Sequence, residues 1–196
     1  LVGTSADHLL LSPNPTIWNQ PMMKFADTSR GHPFAKDPAV VRHKNRYLMY
    51  YSQCPFGDGR ENDGYGIGVA ESTDLDNWQK INEVHPVQEC EQNGICAPGA
   101  IVLDDRIHLF YQTYGNREND AICHATSADG INFDRDPTNP IVKPTGDWNC
   151  GRAIDADVID WGGELLLYWA TRDPSYRLQL IGVSSSPLGS DFSRDT

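Results

Sequence analysis

One residue pattern occurs three times along this 196-residue chain, and it leaves little choice of fold. Asp37-Pro38-Ala39-Val40-Val41 is followed by a polar turn at His43 to Asn45 and then by Tyr47-Leu48-Met49-Tyr50-Tyr51. The same pattern returns as Ala97-Pro98-Gly99-Ala100-Ile101-Val102, a turn at Asp104-Asp105 and Ile107 to Tyr111. It returns again as Asp155-Ala156-Asp157-Val158-Ile159, a turn at Gly162-Gly163 and Leu165 to Trp169. Asp37, Ala97 and Asp155 stand 60 and 58 residues apart, and the spacing within each copy has no gaps. An apolar strand, a tight polar turn and an aromatic-rich strand together predict a hairpin.

A second block follows each hairpin. It reads Gly68-Val69-Ala70-Glu71-Ser72-Thr73-Asp74 ending near Trp78, then Cys123-His124-Ala125-Thr126-Ser127-Ala128-Asp129 ending at Phe133. The third reads Gly182-Val183-Ser184-Ser185-Ser186 and ends at Phe192. Each copy predicts a strand of small residues, a Ser/Asp turn and an aromatic on a short outer strand. A unit then has about four strands and no helix, which in tandem is the pattern of a β-propeller. The predicted class is all-β: a propeller of the five-bladed type, of which this chain covers three blades. Residues 1–30 fit no copy and read as a lead-in segment. Residues 31–196 read as the partial propeller, with blade one at about 32–86, blade two at about 95–144 and blade three at about 152–196. The Gly-, Asp- and Asn-rich stretches 53–66, 88–94 and 134–150 read as loops. Three blades do not close a ring, since propellers use about four to eight. A fragment of a longer protein is therefore expected, or a ring completed by another chain. The start at Leu1 rather than Met fits processing or an engineered boundary.

Composition narrows the function. Hydrophobic residues at 39% and 19 Trp, Tyr and Phe support a packed core. A formal net charge of −11 with no basic cluster argues against nucleic acid as a partner. No run is long enough to span a bilayer, and Leu9 to Leu11 is too short for a signal peptide. Oligomeric state is not legible. The six histidines show no metal-ligand spacing and read as structural or solvent-facing, so no metal or cofactor is expected. Five cysteines occur, none in a C-x-x-C pair. Cys90 with Cys96, or Cys123 with Cys150, is a possible disulfide; buried thiols acting as small hydrophobes are the plainer reading.

The first strand of each blade lines the propeller's channel, so equivalent positions form a ring at one mouth. That ring is Asp37, Ala97 and Asp155. Ala97 shows that the fold itself needs no carboxylate there. Two acids facing one channel raise each other's pKa, which points to use rather than architecture. Each aspartate alone also fits a turn or a capped loop amide. Paired carboxylates suit glycoside hydrolysis: an acid protonates the leaving oxygen, and a carboxylate activates water or attacks the sugar carbon. An inverting pair stands roughly 6.5–9.5 Å apart.

Lys36-Asp37-Pro38-Ala39-Val40-Val41 with Tyr47 to Ser52 resembles the opening of glycoside hydrolase family 43 and its five-bladed relatives, including family 32. Cys96-Ala97-Pro98 resembles that family's Trp-Ala-Pro segment with Cys in place of Trp. Ala153-Ile154-Asp155-Ala156 resembles its Ile-Asp-Pro segment with Ala in place of Pro. The resemblance covers roughly 32–195. It implies Asp37 as general base and Asp155 as the group that tunes the acid's pKa and orients the sugar. It also implies an acid Glu on a fourth blade, beyond this chain. Glu164, at the far end of its hairpin from Asp155, is a poor substitute. A closer tie to family 32 would make Asp37 a nucleophile and the protein a retaining fructosidase. Phe34 and His32 are expected to stack on a sugar or pack a loop, as are Trp148 and Trp161. Arg152 is expected to pair with a carboxylate or bind a hydroxyl, and Asp157 to share a strand face with Asp155. Some relatives carry a channel ion, but no residue here matches a ligand motif for one.

The resulting expectation is a hydrolase of a plant or microbial polysaccharide or oligosaccharide, with arabinofuranosides or xylosides first, located outside the cytoplasm or in the periplasm. A non-catalytic carbohydrate-binding propeller and a structural or interaction propeller are the competing readings.

Overall fold

The computed structural model describes residues 23–61, 63–144 and 146–187, and it is built almost wholly of antiparallel strands. The first sheet takes β1 (Lys36–His43), β2 (Arg46–Gln53), β3 (Gly66–Ser72) and β4 (Gln79–Val84), in that order. The second takes β5 (Ile95–Leu103), β6 (Arg106–Thr113), β7 (Ile122–Ser127) and β8 (Asp134–Arg135). The third takes β9 (Ile154–Trp161), β10 (Glu164–Arg172) and β11 (Gln179–Pro187). Each sheet runs from its inner strand outward in chain order, as blades do. Most of the lead-in, residues 1–22, and the outer strand expected near Phe192 lie outside the described residues.

Turn chemistry sets the hairpins. His43 pairs with Arg46, Leu103 with Arg106 and Trp161 with Glu164, so each inner hairpin turns on two residues. Asp104 and Asp105 both have positive φ, as do Gly162 and Gly163, which matches the twist that a two-residue hairpin requires. The Ser/Asp blocks fold identically in blades one and two. Ser72 Oγ donates to Asp74, which accepts the amides of Asp76 and Asn77; Ser127 Oγ donates to Asp129, which accepts those of Ile131 and Asn132. Trp78 and Phe133 fall one residue ahead of the outer strands β4 and β8, not on them.

The core lies between blades. Leu48, Tyr50, Ile67 and Val69 of blade one pack on Ile107, Leu109 and Tyr111 of blade two. Phe110 and Ile122 of blade two pack on Val158, Leu165, Leu167 and Trp169 of blade three. Each such aliphatic or aromatic side chain contributes about 1.5–3 kcal/mol by leaving water. The polar tips in these layers are answered: Tyr50 Oη donates to Gly130 O at 2.9 Å across the blades. Glu91, fully buried, accepts from Arg135 Nε at 2.9 Å and from the Val87 amide at 2.7 Å.

Residues 25–30 are built into blade one. Phe25 meets the Tyr51 ring edge-on at 5.1 Å. Asp27 accepts from Tyr51 Oη at 2.9 Å and Gln53 Nε2 at 2.6 Å. Arg30 donates to the carbonyls of Cys54 and Gly64 and pairs with Glu83.

Candidate active site

At the start of every inner strand the pairing slips by one residue. Asp37 and Pro38 stand opposite Tyr51, Ala97 and Pro98 opposite Tyr111, and Asp155 and Ala156 opposite Trp169. The first residue of each bulge is left-handed: φ is 54° at Asp37, 47° at Ala97 and 54° at Asp155. For a non-glycine residue that conformation costs about 1–3 kcal/mol and persists only where its surroundings impose it. A bulge re-aims a side chain off the strand's regular alternation. Here three bulges bring Asp37, Ala97 and Asp155 to one mouth, lined besides by Pro38, Pro98 and Ala156.

The second and third bulges are each held by the blade before them. Ser52 Oγ accepts the Ala97 amide at 2.8 Å and donates to Asp37 Oδ2 at 2.7 Å, so one hydroxyl ties the two repeat positions together. Gln112 Oε1 accepts the Asp155 amide at 2.8 Å. Ser52 pairs with Lys36 and Gln112 with Cys96, so these two residues occupy the same place in their blades. Neither was among the sequence-based candidates. The signal was there: a polar residue follows the last ring of the first two aromatic strands, in Tyr51-Ser52-Gln53 and Tyr111-Gln112-Thr113.

The charge of Asp37 bears on Asp155. Desolvation at the mouth, then the charge of Asp37, pushes the Asp155 carboxyl above its ordinary range, and Arg152 and Lys36 oppose the rise. Lys36 Nζ lies 3.2 Å from Asp37 Oδ2. Beneath them Cys96 is almost fully buried, and burial, reinforced by the nearby Asp37, raises its thiol to about 12, so it stays a neutral thiol.

The remaining candidates separate. His32, Phe34, Tyr65 and Tyr114 form a row of ring contacts at 6.4, 6.2 and 4.8 Å that leads from blade one to blade two. Arg152 Nε lies 3.7 Å from Asp120 Oδ2. Asp157 does not share the mouth with Asp155: the bulge between them breaks the alternation, and Asp157 Oδ1 accepts the Val158 amide instead. Trp161 ends β9 at the opposite end of the hairpin, beside Glu164, so neither reaches the mouth. Trp148 stacks on Trp169 at 5.6 Å. The cysteines are free, and the adjacent pair is neither of those anticipated: Cys90 and Cys123 bring their sulfurs to 4.0 Å. Among the described residues no group of His, Cys, Asp and Glu could hold a metal ion, and no helix is long and apolar enough to cross a membrane.

The family model described as the glycosyl hydrolases family 32 N-terminal domain matches residues 32–159. Sucrose-6-phosphate hydrolase of Bacillus subtilis is 30% identical over 106 residues, which cover 50% of this chain and 22% of that protein. The Bombyx mori family 32 β-fructofuranosidase superposes with a TM-score of 0.64 at 19% identity, over 79% of this chain and 33% of its own. A thermostable family 43 glycoside hydrolase superposes with a TM-score of 0.61 at 20% identity, over 77% of this chain and 47% of its own. At such identities the structural likeness carries the fold alone. This chain thus spans between about a fifth and a half of the length of these relatives. The match is to family 32, whereas the motifs first suggested family 43.

Proposed function

The chain belongs to the glycosyl hydrolase family 32 N-terminal domain family, and from that premise we propose that the protein it comes from hydrolyses a β-fructofuranosidic bond. The observation that carries this reading is the pair of aspartates at equivalent bulges of one mouth, where the third bulge carries Ala97. In this proposal Asp37 is the nucleophile. Ser52 and Lys36 hold its Oδ2, leaving Oδ1 to attack the anomeric carbon. The bond to the leaving oxygen breaks as that oxygen takes a proton from a further acid facing the mouth. Water then attacks the anomeric carbon of the glycosyl ester and frees Asp37, with retention of configuration. Asp155 binds sugar hydroxyls and favours positive charge on the ring carbon. Phe34 and His32 offer ring faces to the sugar in the same proposal, and the chemistry calls for no cofactor. The relatives support the sugar: one is named for sucrose 6-phosphate and one for β-fructofuranosides. A location outside the cytoplasm is proposed on the polysaccharide reading alone.

The test is fructose release from sucrose and from inulin by the full-length protein, with arabinofuranoside and xyloside substrates assayed beside them. Fructose release that falls about a thousandfold or more in Asp37→Asn supports the reading. Turnover of arabinofuranoside alone, with inversion seen by NMR of the first-formed anomer, would replace it by the general-base role for Asp37. Binding of sugars without turnover of any substrate would leave a carbohydrate-binding propeller.

A further inference from the structure

The cysteines of this chain are free thiols, and two of them meet. Cys90 lies in a single 3-10 turn, Glu89–Glu91, on the connection from blade one to blade two. Cys123 is the second residue of β7 and is fully buried. Their sulfurs stand 4.0 Å apart, although 33 positions separate them in the chain.

The surroundings hold this contact in place. Glu91, the next residue, is buried and accepts from Arg135 Nε and from the amides of Val87 and Gln88. Asn116 Nδ2 donates to Cys90 O at 3.1 Å. Gln88 Nε2 donates to Asp136 O, and Asn139 Nδ2 donates to Gln88 Oε1, both at 3.0 Å. Blade two thus grips the connection on both sides of Cys90 and keeps its sulfur over Cys123. The gap to a bonded pair is about 2 Å of sulfur movement, within reach of side-chain rotation.

The pair is also asymmetric. Cys90 lines an open cleft of about 740 Å³ with Lys143, Asn116 and Asn139, so a small reagent reaches it. Cys123 is shielded beneath. The hydrogen bond from Cys123, helped by the charge of Lys143, outweighs burial and Glu91 and draws the Cys90 thiol below its ordinary range. The same bond, then burial, pushes Cys123 upward. An accessible, more acidic thiol over a shielded one suits an attacking and a resolving cysteine.

We infer that Cys90 and Cys123 are a disulfide-forming pair, oxidised by a small-molecule disulfide of the glutathione class. The Cys90 thiolate attacks one sulfur of the reagent, whose S–S bond breaks and releases one thiolate. Cys123 then loses its proton, its sulfur attacks Cys90, and the second thiolate leaves. Two electrons pass to the reagent, which takes up the two protons that the cysteines gave up and ends as two thiols. The new bond staples the connection to β7 and encloses residues 90–123, which include Ala97 and Gln112. It does not depend on the sugar-cleaving reading.

The experiment treats the reduced full-length protein with oxidised glutathione, alkylates the remaining thiols and maps the tryptic peptides by mass spectrometry. Residues 81–106 and 118–135 should appear as one linked species, which dithiothreitol separates. Cys90 and Cys96 share the first peptide, so fragment ions between them name the linked residue. The oxidised protein should melt about 3 °C or more above the reduced one, because the link restricts the unfolded chain. That rise should vanish in Cys90→Ser. The peptide map needs no variant, so it decides the matter even if Cys90→Ser does not fold. Glutathione retained on Cys90, a link through Cys96 or Cys150 instead, both thiols still open to alkylation, or a link that leaves the melting temperature unchanged would each overturn the inference.

Discussion

Ser52 is a small residue with two jobs, since its oxygen accepts the Ala97 amide and its hydrogen goes to Asp37. Ser52→Ala therefore leaves a buried amide without a partner and frees a carboxylate at once. A loss of about 1–3 kcal/mol is expected, read by chemical denaturation, and Gln112→Met should lose a similar amount through the Asp155 amide. The carboxylates themselves make a sharper test. Asp37→Asn removes the negative charge that helps raise Asp155, so the Asp155 pKa should fall. It should not return fully to an ordinary value, because desolvation, the larger cause, remains. Carbon-detected NMR titration of the side-chain carboxyls measures this, and an unmoved Asp155 would mean that the two groups do not share a mouth.

Each bulged inner strand faces one large ring of the second strand: Tyr51, Tyr111 or Trp169. That ring needs room on the third strand. Gly68 pairs with Tyr51 and Gly182 with Trp169, and a Cβ on either glycine would come within 2.2 Å and 2.4 Å of the ring. In blades one and three the glycine is thus the counterpart of the bulge: one strand bends, the ring fills the bend, and the next strand gives up its side chain, whereas blade two carries Cys123 opposite Tyr111. Gly68→Ala and Gly182→Ala should each cost about 1–3 kcal/mol by overpacking against Tyr51 and Trp169. Thermal denaturation of both variants reads the loss. Melting temperatures that stay at the parent's value would show that sterics against the ring do not limit the blade.

At the scale of the molecule, blade packing places ionisable groups where acid works on the fold. His108 and His124 stack at 5.2 Å, with His124 Nδ1 3.2 Å from Asp136 Oδ2. Burial, then the neighbouring His124 and Arg106, lowers His108 to about 4, and burial also lowers His124 despite Asp136. The unfolded chain takes up these protons near pH 6.5, so the native state is favoured in full above that value. That part of the stability is lost as the pH falls toward about 4. A second loss follows at lower pH. Burial pushes Asp27 up, but bonds from Ser29, Gln53 and Tyr51 outweigh it and hold Asp27 at about 2. Burial of Glu83 is likewise outweighed by Lys80, Gln53 and Arg30, which hold it at about 2. Their stabilisation is complete above about pH 4.5 and disappears as the pH falls through 2. Denaturation midpoints should therefore decline in two stages, and His108→Leu should flatten the upper one.

Local pattern sufficed for the blades. The 60- and 58-residue recurrences, the two-residue turns and the Ser/Asp blocks depend on nearby residues, so their strands and order were legible in the residues alone. The same recurrence placed Asp37, Ala97 and Asp155 in one register. Strand alternation then failed at the site: it put Asp157 beside Asp155, and the bulge separates them. Bulges arise from how an inner strand meets the ring behind it and the blade beside it, which no single strand's residues encode. The same holds for the latches of Ser52 and Gln112 and for the Cys90–Cys123 neighbours, 33 residues apart. Repetition in the chain determined the architecture. Contacts between blades decided the chemistry, because the fan of sheets is what brings distant residues to a common mouth.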